Sequence, residues 1–278
     1  ENMSQAPYAM YGGREGFRFG TNPKLEDTLF GALYDPLAKL AMAQTAEKVA
    51  KTRGISREAQ DEYALRSHRL GAEAVKEGRF GEEIEPVRIE TRRGELVIDT
   101  DDHIKPDTSA EALAKLRPAF GKDGTVTAGN ASGIVDGAAA VIVTTAGVAR
   151  ELDVKPLARL VSWGIAGVSP DIMGIGPAPA TRIALKRAGM TLANIGLFEI
   201  NEAFAAQCLA CARELDLDTD ILNVNGGAIS IGHPLGATGT RLVLTLLKEM
   251  QRRGVRYGSA SMCIGGGMGA AGIFELIN

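Results

Sequence analysis

Only three histidines occur in the 278 residues, and one of them, His233, stands inside NVNGGAISIGHPLGATGTR (223–241). Pro234 biases His233 away from helical φ/ψ, and Gly232 and Gly236 allow a ligand or another segment to come close. A helix expected to begin near Thr238 or Thr240 adds unpaired N–H groups and a positive dipole end. Such a dipole lowers an imidazole pKa and favours the neutral, basic form. The pattern suits a catalytic base; the competing reading is a structural histidine in a turn. Cys263 offers a second reactive group. It ends a predicted strand ahead of IGGGMGAAG (264–272), where four of the five positions from 265 to 269 are glycine. Bare amides beside a thiol can stabilise an oxyanion, although a buried, inert cysteine before a tight turn would look the same. No helix is expected after this run, so it is not the dinucleotide-binding fingerprint. A third candidate is Asn201, with Glu202, in EINEAF (199–204), where a buried strand passes into a helix. Polar groups at the carboxyl end of a strand often build sites in α/β folds, while a simple helix cap is the alternative.

Other chemistry-bearing residues read more plainly. Cys208 and Cys211 lie one helical turn apart with no second ligand pair and no helix N-terminus, so core packing is favoured over zinc or redox chemistry. His68 and His103 stand among charged residues and are expected at the surface. Ser132 sits between small residues in GNASGIVDGAAA (129–140) and is read as a loop residue or as a hydrogen-bonding wall for an extended ligand.

These residues need elements to hold them. In TLFGALYDPLAKLAMAQTAEKVAKTRG (28–54), Leu37, Leu40, Ala41, Ala46 and Val49 fall near helical spacing, and Gly54 stops the run. Residues 56–80 predict a second amphipathic helix with Ser56 as N-cap and Glu58 in its first turn. Residues 83–100 alternate like two strands around a glycine turn. Beyond Thr125, GAAAVIVTT (137–145) predicts a buried strand and residues 155–167 another. Residues 177–190 predict a helix stopped by Gly189. A strand at 195–200 runs into a helix at 201–215, and ILNVNGG (221–227) predicts a strand before the His233 segment. Leu242, Val243, Leu246, Leu247 and Met250 share one face of a helix ended by Gly254. Residues 257–277 predict two strands joined by the glycine turn. Strands alternating with helices make an α/β layered fold.

Composition narrows the class. The chain is 45% hydrophobic and 23% charged, with net charge −3, which argues against a nucleic-acid partner while leaving room for a local basic patch that meets a phosphorylated ligand. Three cysteines form no disulfide framework. No apolar run has transmembrane length and no secretory signal opens the chain, so no membrane association and a cytoplasmic location are expected. The opening, ENMSQAPYAMYGGREGFRFG, begins directly in turn-rich sequence and reads as the middle of a protein.

NEAFAAQ (201–207), NVNGGAISIGHPLGATGTR and CIGGGMGAAGIFE (263–275), in this order and spacing, resemble the thiolase family; MSQAPY, AQTAEKVA, AKLRPAF and TVTAGNASGIVDGAAA match elsewhere. The resemblance implies a layered αβαβα sandwich with an inserted α+β loop domain at 4–134, a truncated N-terminal half at 1–3 and 135–155, and a C-terminal half at 156–278. It implies acyl transfer between CoA thioesters through an acyl-cysteine, with no further cofactor, in a homodimer or homotetramer. On this resemblance His233 activates the nucleophile and helps hold the thioester oxygen. Asn201 positions a water in the same oxyanion hole, Cys263 is the acid/base cysteine, and Gly265 gives an amide to the other oxyanion hole. Ser132, Ala128, Ala203, Phe204 and Met42 line the pantetheine tunnel, and Lys105 stands where a base could meet CoA phosphate. Two departures are expected to matter. The family's nucleophilic cysteine belongs to an N-terminal segment that precedes ENMSQAPY, so this chain is expected to lack about 100 residues, one small domain, and to be inactive alone. Ala41 precedes Met42 where short-chain biosynthetic members often carry histidine, which favours a broader range of acyl lengths. The alternatives are a non-catalytic CoA- or acyl-binding relative and a ketoacyl-synthase-like condensing enzyme; the latter normally pairs its nucleophile with other histidines.

Overall fold

The computed structural model describes residues 1–277; Asn278, the last residue of the expected C-terminal half, lies outside the described residues. The first part of the chain is a helical layer. α1 (Met42–Arg53) ends at Gly54, whose φ of 61° needs no Cβ to be accommodated. α2 (Arg57–Lys76) is capped as expected: the Ser56 hydroxyl accepts from the Ala59 N–H at 3.2 Å. A hairpin of β1 (Val87–Thr91) and β2 (Gly94–Ile98) follows, exposed on both faces. The helix expected across 28–54 does not run through. Pro36 interrupts it, a short two-residue hairpin joins Tyr34–Asp35 to Leu40–Ala41, and Leu37 is exposed.

The second part is a four-stranded mixed sheet. β3 (Ala158–Gly167), β4 (Leu197–Ile200), β5 (Tyr257–Ile264) and β6 (Met268–Leu276) lie in the order β3–β6–β5–β4, antiparallel except for the parallel β4–β5 pair. Three further helices complete it: α3 (Pro177–Ala188), α4 (Ala205–Leu215) and α5 (Leu235–Arg253). Alternation along β4 sorts the core into two faces. Phe198 and Ile200 join Ala180, Ala184, Cys208, Cys211 and Leu215 from α3 and α4. Leu197 joins Leu242, Leu246, Leu247 and Met250 from α5. The sheet is therefore covered by α3 on one face and α5 on the other, and Cys208 and Cys211 are core residues as expected.

Two expected strands are absent. Residues 137–145 form no regular structure, and Ile142 and Val143 stay 96% and 89% exposed. Their apolar character alone could not supply a neighbouring strand, and a strand forms only where its N–H and C=O groups find a ladder. Residues 221–227 are irregular, with isolated bridges at Leu222 and between Val224 and Gly226; Asn223 sits at φ 47° and turns the chain.

Leu246 is 1% exposed at the centre of the α5 face. Leu246→Ala should cost about 2–5 kcal/mol, read as a fall in denaturant midpoint. A loss below about 0.5 kcal/mol, as for a surface site, would show that α5 does not pack as described.

Candidate active site

Asn201 is brought to His233 by backbone geometry. β4 ends at Ile200 opposite Ser261, and the Asn201 N–H continues the pairing by donating to the Ser261 carbonyl at 2.9 Å. α4 begins only at Ala205, so Asn201 is not its cap. The segment 201–204 is a buried connection whose side chains are free for other work. The Asn201 Nδ2 lies 3.1 Å from His233 Nε2, and its Oδ1 is buried without a hydrogen-bond partner. An acceptor in that condition suits a site rather than a core.

His233 is fixed from its other side by Thr238. The Thr238 hydroxyl lies 2.7 Å from His233 Nδ1 and donates to the Pro234 carbonyl at 2.9 Å. A hydroxyl has one proton. With that proton on the Pro234 carbonyl, the hydroxyl accepts from Nδ1–H. Nε2 is then the basic nitrogen and accepts from Asn201. α5 starts at Leu235, directly after Pro234, three to five residues earlier than expected. The ring therefore lies beside the first turn of the helix. Burial, followed by the Arg241 charge, holds the imidazole at about 4, well below its usual 6.5. It is neutral at neutral pH.

Cys263 is the penultimate residue of β5, two positions beyond the Ser261 that pairs with Asn201. Its thiol is buried with Met173 and Ala203, and Met42 and Phe204 pack against them. Burial pushes it up to about 12, so it is a thiol at rest. Gly265 to Gly267 turn the chain into β6. A Cβ on Gly265 would sit 3.9 Å from the Met42 sulfur, so Met42 stands beside this turn. The Ser132 N–H donates to the Ala203 carbonyl at 3.0 Å, and Ala131 bridges Phe204. The loop carrying them is held by Glu47, which accepts from the Thr125 and Val126 N–H groups at 2.8 and 2.7 Å, and by Asn130, which donates to Asp61 at 2.8 Å.

His233 and Asn201 touch directly, Cys263 packs with Ala203, Met42 and Phe204, and the two groups are joined through the short 201–204 segment and the Asn201–Ser261 pairing, with Ser132 on Ala203. Ala128 is exposed on the same loop. Lys105 lies outside that contact set: it shares a cavity with His68, Arg69 and Lys76, and its backbone N–H donates to His68 Nδ1 at 3.3 Å. The two other histidines are not surface residues. His68 is 5% exposed on the inner face of α2, and burial, then the charges on His103 and Lys105, holds it at about 4. His103 is half-buried and donates from Nδ1 to the Ser230 carbonyl at 2.8 Å. For His68 the charged sequence neighbours misled because they occupy the opposite face of α2; His103 lies in an irregular segment and is covered through its contact with Ser230.

Two supporting residues escaped sequence reasoning. Thr238 read only as a helix start, although its spacing of five from His233 across a proline is what lets it reach the ring. Glu202 was noticed without a role. It is fully buried and accepts from the Tyr63 hydroxyl at 3.0 Å, the Ser67 hydroxyl at 2.6 Å, Asn223 Nδ2 at 3.0 Å and the Ile229 N–H at 3.2 Å. These donors come from α2, from the turn at 223 and from the short helical turn Ala228–Ile231 that leads to His233.

Comparison with known proteins places this geometry. The description "Thiolase, N-terminal domain" matches residues 1–147 and "Thiolase, C-terminal domain" matches residues 154–276. The chain belongs to the thiolase family. Both domain patterns find a counterpart, and they lend no support to a truncated N-terminal half. An acetyl-CoA acetyltransferase of Chromobacterium violaceum is 53% identical over 273 residues, 98% of this chain and 69% of that protein. The human mitochondrial 3-ketoacyl-CoA thiolase is 48% identical over 275 residues, 99% of this chain and 69% of that one. Its crystal structure superposes with a TM-score of 0.96, covering 99% of this chain and 70% of the other, and a complex of that enzyme with CoA superposes at 0.94. The thiolase fold is the one expected.

The buried neutral histidines have a consequence for stability. Above pH 6.5 they are uncharged in both folded and unfolded chains. Between 6.5 and about 4 the unfolded chain takes up protons that folded His68 and His233 refuse, so stability falls on acidification, by on the order of 3 kcal/mol per group. Unfolding free energy followed from pH 7 to pH 4 should show this slope, and His68→Gln should shrink it. An equal slope in that variant would contradict the burial of His68.

Proposed function

We propose that this thiolase-family chain carries the proton-transfer and oxyanion machinery of an acyl-CoA acyltransferase, which condenses acetyl-CoA with an acyl-CoA or, in reverse, thiolyses a 3-oxoacyl-CoA. The observation that carries this reading is the 3.1 Å contact of Asn201 Nδ2 with the neutral His233 Nε2, beside the strand whose penultimate residue is Cys263. Cys208 and Cys211 are closed inside the core. With Cys263 engaged in proton transfer, none of the three thiols serves as acyl acceptor. The acceptor thiol comes from outside these 278 residues, and the chain alone completes no thiolysis.

The residues then divide the work. His233 Nε2 takes the proton of the acceptor thiol as its sulfur attacks the acyl-CoA carbonyl. The tetrahedral oxygen is met by the Gly265 N–H. As the C–S bond to CoA breaks, the Cys263 thiol protonates the departing sulfur and becomes a thiolate. A thiolate whose conjugate acid is pushed up to about 12 is a strong base, and it removes the α-proton of acetyl-CoA. The enolate oxygen is met by the N–H that His233 now carries and by the polar head of Asn201, directly or through a water. The enolate carbon attacks the acyl-enzyme, the acyl–sulfur bond breaks, and the acceptor sulfur recovers its proton from His233. No metal or prosthetic group enters this sequence; the CoA thioesters are substrates.

Met42, Ala203, Phe204, Ser132 and Ala128 are assigned to the pantetheine arm, and Lys105 to the phosphate end. Ala41 stands before Met42 where short-chain members often carry histidine, and a range of acyl lengths belongs to this reading. A homodimer or homotetramer and a cytoplasmic location belong to the same reading. Three free thiols suit a reducing compartment, and no described helix is long and apolar enough to cross a membrane.

Steady-state thiolysis with the complete enzyme over a series of 3-oxoacyl-CoA lengths tests the proposal. His233→Ala and Cys263→Ala should each lower kcat by about 10²–10⁴ while KM changes little. Wild-type turnover in either variant, or no thiolysis by the intact enzyme, would overturn it.

A further inference from the structure

The glycine turn after Cys263 is gripped by a carboxylate that belongs to no part of the machinery assigned above. Asp35 is 2% exposed. Its Oδ1 accepts from the Leu37 and Ala38 N–H groups at 2.8 and 2.9 Å, and its Oδ2 accepts from the Gly266 N–H at 2.8 Å. Both oxygens act as acceptors, which an ionised carboxylate satisfies and an amide cannot. The Ala38, Gly266 and Leu37 amides accordingly hold Asp35 below the usual carboxylate range.

The turn is fixed from a second direction. The Gly267 carbonyl accepts from the Val168 N–H at 2.7 Å. Gly266 and Gly267 both lie at positive φ, 82° and 83°, and a Cβ on Gly267 would come within 2.3 Å of the Val168 carbonyl. Between these two clamps the Gly265 N–H donates to no described residue. Asp35 itself is fixed in place: Tyr34–Asp35 pairs with Leu40–Ala41, immediately before Met42, which stands beside Gly265.

We propose that Asp35 is a positioning residue: by occupying the Gly266 amide it sets the turn so that the neighbouring Gly265 amide is presented to the tetrahedral acyl oxygen at a fixed distance from the Met42 wall. This rests on the acyl-transfer reading above. It separates two halves of the reaction. Cys263 is anchored by its ladder partner Gly269, and Asn201 and His233 are anchored by Ser261 and Thr238. Once the acyl-enzyme has formed and Cys263 is a thiolate, removal of the α-proton therefore does not depend on Asp35, whereas transfer of the acyl group does.

The test uses Asp35→Asn and Asp35→Ala in the complete enzyme, with two readouts. Thiolysis of acetoacetyl-CoA reads acyl transfer; loss of the acetyl-CoA methyl protons to D2O, started from enzyme already acetylated and followed by NMR, reads enolate formation. In Asp35→Asn, an amide NH2 must oppose either the Gly266 N–H or the Leu37 and Ala38 pair. Thiolysis kcat should fall about 100-fold, with KM and methyl exchange within about threefold of wild type. Thiolysis at the wild-type rate would overturn the inference. So would a parallel fall in exchange, which marks a general loss of structure. A wild-type enzyme without thiolysis would defeat the acyl-transfer reading itself, a result separate from either variant's.

Discussion

An imidazole can serve as a base only while it remains uncharged and keeps one nitrogen unprotonated, and both conditions are met here by burial and by the pair of contacts on His233. Thr238 takes Nδ1–H because its own proton is committed to the Pro234 carbonyl. Asn201 donates to Nε2. Burial removes water that would favour the charged ring, and Arg241 adds a repulsive charge. The nearby start of α5 acts in the same direction. Much of the surrounding architecture can be read as what keeps this arrangement in place. The parallel β4–β5 pair sets Asn201, α5 sets Thr238, and the packing of α5 on Leu197 holds the two together.

Glu202 extends that constraint into the helical layer. A buried carboxylate is costly unless its oxygens are satisfied, and here four donors from three separate segments converge on it. Tyr63 and Ser67 come from α2, so the layer that covers the site is tied to the same side chain that neighbours Asn201. The cover and the catalytic end of the sheet are joined through polar groups, which fix direction as well as distance. Asp35 does the corresponding work at the glycine turn. Two acceptors, one beside Asn201 and one on the turn after Cys263, set the two sides of the site.

Much of this was legible in the residues. The glycine-bracketed histidine and the polar pair after a buried strand pointed to His233 and Asn201, which the fold brings into contact, while Cys263 was singled out by the glycine run after it, since cysteine itself is common in cores. Ser56, Gly54, Gly189 and Gly254 marked helix ends correctly because capping is local chemistry. What failed was non-local. Residues 137–145 have the composition of a buried strand and lack a ladder, and residues 221–227 are turned by Asn223 and by contacts to Glu202. His68 was misplaced because charge in the sequence says nothing about which helix face is covered. Thr238 stands within the same motif as His233, but its part depends on how the chain turns at Pro234, and the parts of Glu202 and Asp35 depend on partners as far as 139 and 231 residues away.

The account depends most on the protonation state of one ring. Nitrogen-15 NMR of His233 at pH 7 measures it directly, with the resonance assigned through His233→Gln. A neutral imidazole with its proton on Nδ1, unchanged down to about pH 5, is the predicted result. An imidazolium at pH 7, or a neutral ring protonated on Nε2, would contradict it.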